Sequence, residues 1–309
     1  MSHQSLRSAL EGVAFTVPTP FTSDGSAVVH EHLASNLVAL ENEGGSIFVP
    51  CGNTGEYYSL SHEERVAVVE TTVKTTSENS IIVAGAGGST KTVLRLIEEY
   101  ERLGVDAVMV MNPNHVYIDE GGLIDYYERI ANSTDLGVVI YKRGERITET
   151  VLEAVTAIEN VVAVKYAVND VDGFSQAIHA SHEDVTWLTG IAERFAPSYA
   201  MEGADGFTTG IGNVVPEQVL ALQEALEAQS WKEAKRLRDV LRSYENIREE
   251  PTDHPPFSSA KNVPAVKHGL DVRGWHGGPV REPLRPLSSE DRKRVERMYE
   301  RIREEPTYE

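Results

Sequence analysis

A lysine interrupts the apolar run VVAVKYAVND at residues 161–170. An ammonium among Val and Ala side chains without a counter-ion is costly, and the usual outcome is a lowered pKa. A neutral, desolvated amine is a nucleophile toward ketones. The imine it forms becomes, once protonated, an electron sink that eases proton loss or C–C cleavage beside the former carbonyl. Lys165 is therefore the first candidate for chemistry; the alternative is a lysine that snorkels at a strand end or pairs with a buried carboxylate. Lys142, closing the run GVVIYK, is the rival nucleophile, but the RGER that follows is a more polar setting in which its pKa is less depressed.

Tyr141, one run before Lys165, puts a phenol where protons could be relayed to and from substrate; its other reading is a core aromatic with its hydroxyl at a rim. The turn GNTGE (52–56) offers backbone N–H groups and a hydroxyl between two glycines, a nest suited to a carboxylate. Such turns also occur in ordinary strand–helix connections, and Glu56 reads as structural, orienting the loop or capping the next helix. Other patterns fail. GAGGSTK lacks the Gly-Lys-Ser/Thr order of a phosphate loop. HEHL (30–33) puts its histidines two apart, off a common helix face, and His179 and His182 have no acid at ligand spacing. No metal site is expected. Cys51 reads as a small buried hydrophobe.

The elements that must position these groups recur along the chain. Short β-branched runs begin at VAFTVPTP (13–20), SIFVPC (46–51), SIIVAGAG (80–87), DAVMVMNP (106–113), GVVIYK (137–142), VVAVKYA (161–167), VTWLTGI (185–191) and DGFTTGIG (205–212). Between them lie acid-rich segments with apolar residues at helical spacing. Ser61 with Glu64 predicts a capping box, and Gly44 and Gly104 fall where helices should stop. Eight strand-like runs alternating with helices predict an α/β fold, a (β/α)8 TIM barrel. An open doubly wound sheet would more often carry a glycine-rich nucleotide loop after its first strand, and TVPTPF is no such loop. The helical segments PEQVLALQEALEAQ, WKEAKRLRDVLRSYENIREE and SSEDRKRVERMYERIREE follow, broken by PTDHPPFSS. We expect a catalytic barrel over 1–222 and a C-terminal helical extension over 223–309, packed on a barrel face or forming subunit contacts.

Barrel enzymes carry their chemistry at the C-terminal strand ends. Here those ends hold Thr19 and Pro20, the GNTGE turn, GAGGST, NPNH (112–115), Tyr141 to Arg143, Lys165 and Tyr166, Gly190, and Thr208 to Gly210. The net charge of −19 argues against nucleic acid or an anionic membrane as partner. The 48 acids against 29 bases are dispersed along helices rather than gathered in a tail, which would suit hydration in concentrated salt; an ordinary acidic enzyme is the alternative. One cysteine excludes an internal disulfide framework. The lack of a signal-peptide pattern or long apolar run leads us to expect a soluble, cytoplasmic protein.

GNTGEYYSLSHEER, VIYKRG and VVAVKYA, in that order and spacing, resemble the dihydrodipicolinate synthase / N-acetylneuraminate lyase family of Schiff-base barrels, over nearly the whole chain. The resemblance implies a pyruvate-type 2-oxo acid bound as an imine on Lys165, Tyr141 as proton relay, and Asn53 and Thr54 holding the carboxylate. It also implies no cofactor and a homo-oligomer, commonly a tetramer. Lysine-pathway synthases of this family show two threonines in the GxxGE turn and a tyrosine pair after the fourth strand. Here the turn carries Asn53–Thr54, and Asn114–His115 replace the pair, leaving His115 or Tyr117 to serve as relay or interface residue. TDLGVVIYKRG, GFTTG and GGPVREPLRPLSSEDR look like the sugar-acid branch, which includes 5-dehydro-4-deoxyglucarate dehydratase and 2-keto-3-deoxygluconate aldolases. Lys142 departs from the asparagine usual in both groups.

The expectation is a class I lyase acting on a 2-keto-3-deoxy sugar acid, by aldol cleavage or by dehydration. Arg143, Arg146, Thr208, Thr209 and Gly190 would meet the distal end of the substrate. The alternatives are a dihydrodipicolinate synthase condensing pyruvate with aspartate semialdehyde, a non-catalytic 2-oxo-acid-binding regulatory barrel, and a metal-dependent class II aldolase.

Overall fold

The computed structural model describes residues 1–113, 115–251 and 258–307. Asn114, set against the tyrosine pair above, and residues 252–257 of the PTDHPPFSS break lie outside the described residues. Eight parallel strands close in sequence order into a barrel: β1 (Gly12–Thr16), β2 (Ile47–Val49), β3 (Ile81–Ala86), β4 (Ala107–Val110), β5 (Gly137–Lys142), β6 (Val161–Tyr166), β7 (Thr186–Thr189) and β8 (Gly206–Thr209). Each coincides with one of the β-branched runs. Both faces of a barrel strand are covered, so the strands are apolar throughout rather than alternating.

A short helix α1 (His3–Ala9) precedes β1 and closes the N-terminal end of the barrel. Its Arg7 guanidinium donates to the Glu159 carbonyl at 2.9 Å, while the Thr186 hydroxyl donates to the Arg7 carbonyl at 2.9 Å. The outer ring is α2 (His30–Asn42), α3 (His62–Thr75), α4 (Thr90–Leu103), α5 (Glu120–Ala131), α6 (Glu149–Thr156), α7 (Val171–Ala180), α8 (Ala196–Met201) and α9 (Pro216–Glu227). Ser61 caps α3 in the expected box, its hydroxyl accepting from Glu64 N–H while the Glu64 carboxylate accepts from Ser61 N–H. Gly104 ends α4 in the left-handed conformation that a side chain would resist.

Three further helices, α10 (Trp231–Arg248), α11 (Asn262–Arg273) and α12 (Ser289–Arg303), pack on the barrel. We retain the division near residue 222 as a proposal, with the cut falling inside α9. No helix among the described residues is long and apolar enough to cross a membrane.

Candidate active site

Register decides which side chains meet. In the β5–β6 ladder Tyr141 pairs with Lys165 and Lys142 with Tyr166. Because side chains alternate across a strand, Tyr141 and Lys165 share one face and Lys142 and Tyr166 the other. The Lys165 ammonium lies 4.6 Å from the centre of the Tyr141 ring. Lys142 turns the other way. Its ammonium donates to the Ile147 carbonyl and sits 5.5 Å from the centre of the Tyr166 ring. Strand parity thus puts the two lysines on opposite faces of the barrel wall, with only Lys165 on the face of Tyr141.

Lys165 is buried, and among the described residues no carboxylate pairs with it. Burial pushes its ammonium down to about 7, and the charges of Arg143 and Arg248 act in the same direction. Burial also lowers Lys142, where Glu149 and Asp170 oppose it. Gly190, just beyond β7, leaves room for the reactive chain. A Cβ there would stand 2.6 Å from the Ala167 Cβ and 3.1 Å from the Lys165 Cε, so any side chain would crowd the lysine stem.

The Tyr141 phenol accepts a hydrogen bond of 3.0 Å from the Asn53 amide. Burial pushes its pKa up, while Arg143 and the Asn53 bond pull the other way. Asn53 therefore ties the GNTGE turn to the tyrosine beside the lysine. Its carbonyl oxygen is buried without a partner, and Thr54 is buried next to it. The turn is fixed from below by the Thr19 hydroxyl, which donates to the Gly55 carbonyl at 2.8 Å. Cys51 begins the turn fully buried, its thiol pushed up to about 12, which makes it inert as a nucleophile.

A cavity of about 390 Å³ opens at Asn53 and Tyr141, lined also by Tyr58, Asn112, Arg143 and Arg146 among others; Lys165 and Thr54 are not on its wall. That size falls within the ordinary range for a small-molecule site. Arg143 and Arg146 are both brought to the cavity as expected. The Asn112 amide donates to the Arg143 carbonyl at 2.9 Å and accepts from the Tyr127 hydroxyl at 3.2 Å, which fixes the loop that carries the two arginines. His115 and Tyr117 lie beside the cavity instead. The Arg146 guanidinium donates to the His115 carbonyl at 3.0 Å, Tyr117 is 87% exposed, and neither His115 nor Tyr117 lines the cavity. Tyr58, Val116 and Tyr117 are the exposed large hydrophobic side chains of this end of the barrel.

The two threonines of β8 have different tasks. Lys165 pairs with Leu188, and Leu188 with Gly206, so Thr208, two residues on from Gly206, shares the face of the lysine. Thr209 faces the other way. Its hydroxyl donates to the Glu193 carboxylate and accepts from Gly212 N–H at 2.7 Å. Thr209 is therefore occupied within the protein, where we had expected a substrate contact.

Sequence reasoning missed the acids and cations behind β8. Glu193, Glu245 and Arg248 are all buried, with Arg248 paired to Glu245 and donating to the Asn262 side chain at 2.9 Å. Burial and the neighbouring Glu245 charge push the Glu193 carboxyl well above the ordinary range. Glu245 and Arg248 sit in the acid-rich SYENIREE, which looks like any exposed face, and Glu193 is a lone acid in the loop IAERFAP with no motif around it. No cluster of three or more potential metal ligands occurs among the described residues.

The site thus joins a buried lysine and a tyrosine at the C-terminal ends of adjacent barrel strands to the turn after β2, through the Asn53–Tyr141 hydrogen bond. The profile of the Dihydrodipicolinate synthetase family matches residues 9–302, and the chain belongs to that family and is a lyase. It is 30% identical over 287 residues to a 4-hydroxy-tetrahydrodipicolinate synthase of Methanosphaerula palustris, covering 91% of this chain and 95% of that one. It is also 30% identical over 301 residues to a "Probable 5-dehydro-4-deoxyglucarate dehydratase" of a Chelativorans species, covering 94% and 96%. Among solved structures, the dihydrodipicolinate synthase of Oceanobacillus iheyensis superposes with a TM-score of 0.91 at 29% identity, covering 96% of this chain and 98% of that one.

Proposed function

We propose that the chain is a Schiff-base lyase acting on a 2-keto-3-deoxy sugar acid, with Lys165 as the amine that forms the imine. The observation that carries this reading is the buried Lys165, unpaired with any acid among the described residues and facing Tyr141 across the β5–β6 register. Burial lowers the Lys165 pKa to about 7, so neutral amine able to attack the C2 carbonyl is present at neutral pH.

Attack forms the C–N bond, and the carbinolamine then loses water. Tyr141 relays the proton that the departing oxygen needs and takes it up again for the next step. Asn53 and Thr54 hold the C1 carboxylate in the turn, in reach of both reacting groups. The protonated imine accepts the electron pair released when a bond to the adjacent carbon breaks. A C–C bond gives pyruvate plus an aldehyde; a C–H bond followed by loss of hydroxide gives dehydration. Arg143 and Arg146 on the cavity wall and the inward Thr208 suit a hydroxylated substrate with a second polar or anionic end.

The resemblance to synthases named for tetrahydrodipicolinate supports a second reading, condensation of pyruvate with aspartate semialdehyde on the same lysine. Product analysis decides. Turnover of a 2-keto-3-deoxy sugar acid, with no condensation product from pyruvate and the semialdehyde, supports the first reading, and the reverse pattern supports the second. The exposed Tyr58, Val116 and Tyr117 beside the cavity favour assembly of copies around this end of the barrel, and the dispersed acids favour a salt-tolerant surface.

A further inference from the structure

The turn that would hold the substrate carboxylate is itself held by the C-terminal region. It begins and ends in the left-handed conformation at residues that are not glycine, Cys51 with φ 57° and Glu56 with φ 57°. Such a backbone persists only where its surroundings over-determine it. At Glu56 those surroundings come from far along the chain. One carboxylate oxygen accepts from the Lys267 ammonium at 2.5 Å, and the other accepts from Arg281 N–H at 3.0 Å. Lys267 also donates to the Pro279 carbonyl at 2.6 Å. Both members of the ion pair are at most 1% exposed.

The contact extends to the loop after β1. The Phe21 ring meets both cations, with the Lys267 ammonium 4.2 Å and the Arg281 guanidinium 4.1 Å from its centre. Arg281 then closes the outer side, donating to both oxygens of Glu64 at 2.6 and 2.7 Å and to the Ser59 and Gly25 carbonyls at 3.0 and 2.7 Å. Three segments are thereby locked: the loop after β1, the turn after β2, and the stretch from α11 to Arg281. The output of the lock is Asn53, three residues before Glu56, whose amide meets the Tyr141 phenol.

We propose that Lys267 and Arg281 are positioning residues for the carboxylate-binding turn, so that the C-terminal region sets the affinity of the site for 2-oxo acids. The proposal rests on the reading that Asn53 and Thr54 bind the carboxylate. Neither cation touches the reacting groups, so loosening the lock acts first on binding and reaches the lysine chemistry only through the Asn53–Tyr141 hydrogen bond. A buried ion pair suits this task because, with both oxygens of Glu56 committed, the turn has one arrangement that satisfies it.

The test measures borohydride-dependent labelling against pyruvate concentration, in the full-length protein and in the double variant Glu56→Gln/Lys267→Met. Removing both charges together avoids stranding either one in the interior. We expect the pyruvate concentration for half-maximal labelling to rise about tenfold, the equivalent of one well-made contact, while the maximal rate changes less than about threefold. A folded double variant with the wild-type half-saturation, or one that loses maximal rate alone, overturns the proposal. Arg281→Gln, at the outer and partly solvated side of the lock, tests it without risk to the fold; the same shift is expected at about threefold, and no shift overturns it. Absence of any adduct in the wild-type protein overturns the imine reading first, and this proposal with it.

Discussion

Two of the buried lysines, Lys165 at the end of β6 and Lys267 in the middle of α11, sit in apolar segments and are treated oppositely. Lys267 in VPAVKHGL looks in sequence much like Lys165 in VVAVKYA. Burial lowers both. At Lys267 the Glu56 carboxylate pulls the pKa back up, and the ammonium is committed to an ion pair. At Lys165 no acid among the described residues answers, and two guanidinium charges push further down. Desolvation alone therefore does not make a reactive amine; desolvation without a counter-ion does.

The largest effect should come from Lys165→Met. We expect turnover to fall by at least about 10⁴-fold with labelling by pyruvate and borohydride abolished, while thermal melts show a protein at least as stable as the parent. The stability sign follows from linkage. The folded-state pKa of this amine lies below its unfolded value, so the protein carries a penalty in full at and below pH 7 that fades as pH rises toward the unfolded pKa. The substitution removes that penalty. Tyr141→Phe comes next, with a loss of about 10²- to 10⁴-fold in turnover, read by steady-state kinetics, and with imine trapping retained at a reduced rate.

Lys267→Met should break the comparison from the other side. It leaves Glu56 buried without its ammonium, which we expect to cost about 3–5 kcal/mol in chemical denaturation. The equivalent change at Lys165 costs nothing, and a similar loss at both positions would erase the distinction. Smaller again is the pH effect. Labelling at saturating pyruvate should rise about fivefold from pH 6 to 7 and level off above about pH 8, because the neutral amine accumulates as pH passes the Lys165 pKa. A profile still climbing at pH 9 would mean an ordinary lysine. The smallest expected effect is that of Lys142→Gln, with labelling of Lys165 unchanged, since that side chain faces away from Tyr141.

The two lysines also mark where a sequence stops being readable. The eight strands, the Ser61 box and the Gly104 stop are local, written in β-branched runs and caps within a few residues. Lys165 and Tyr141 could be singled out because a strand end in a barrel is a functional address whatever surrounds it. Lys267 and Glu56 are 211 residues apart, and only the folded chain shows that one answers the other. Thr208 and Thr209 looked equivalent, and strand parity separated them. Glu245 and Arg248 came from a segment whose composition resembles a solvated face, Glu193 is a lone acid in a loop, and the burial of all three is a tertiary fact.

The central claim is that Lys165 is the amine that forms the imine. The most direct measurement is reduction with borohydride in the presence of pyruvate, followed by peptide mass spectrometry. The account predicts a single reduced pyruvyl adduct on the peptide containing Lys165. An adduct on Lys142 or Lys267, or none at any pyruvate concentration, would contradict it.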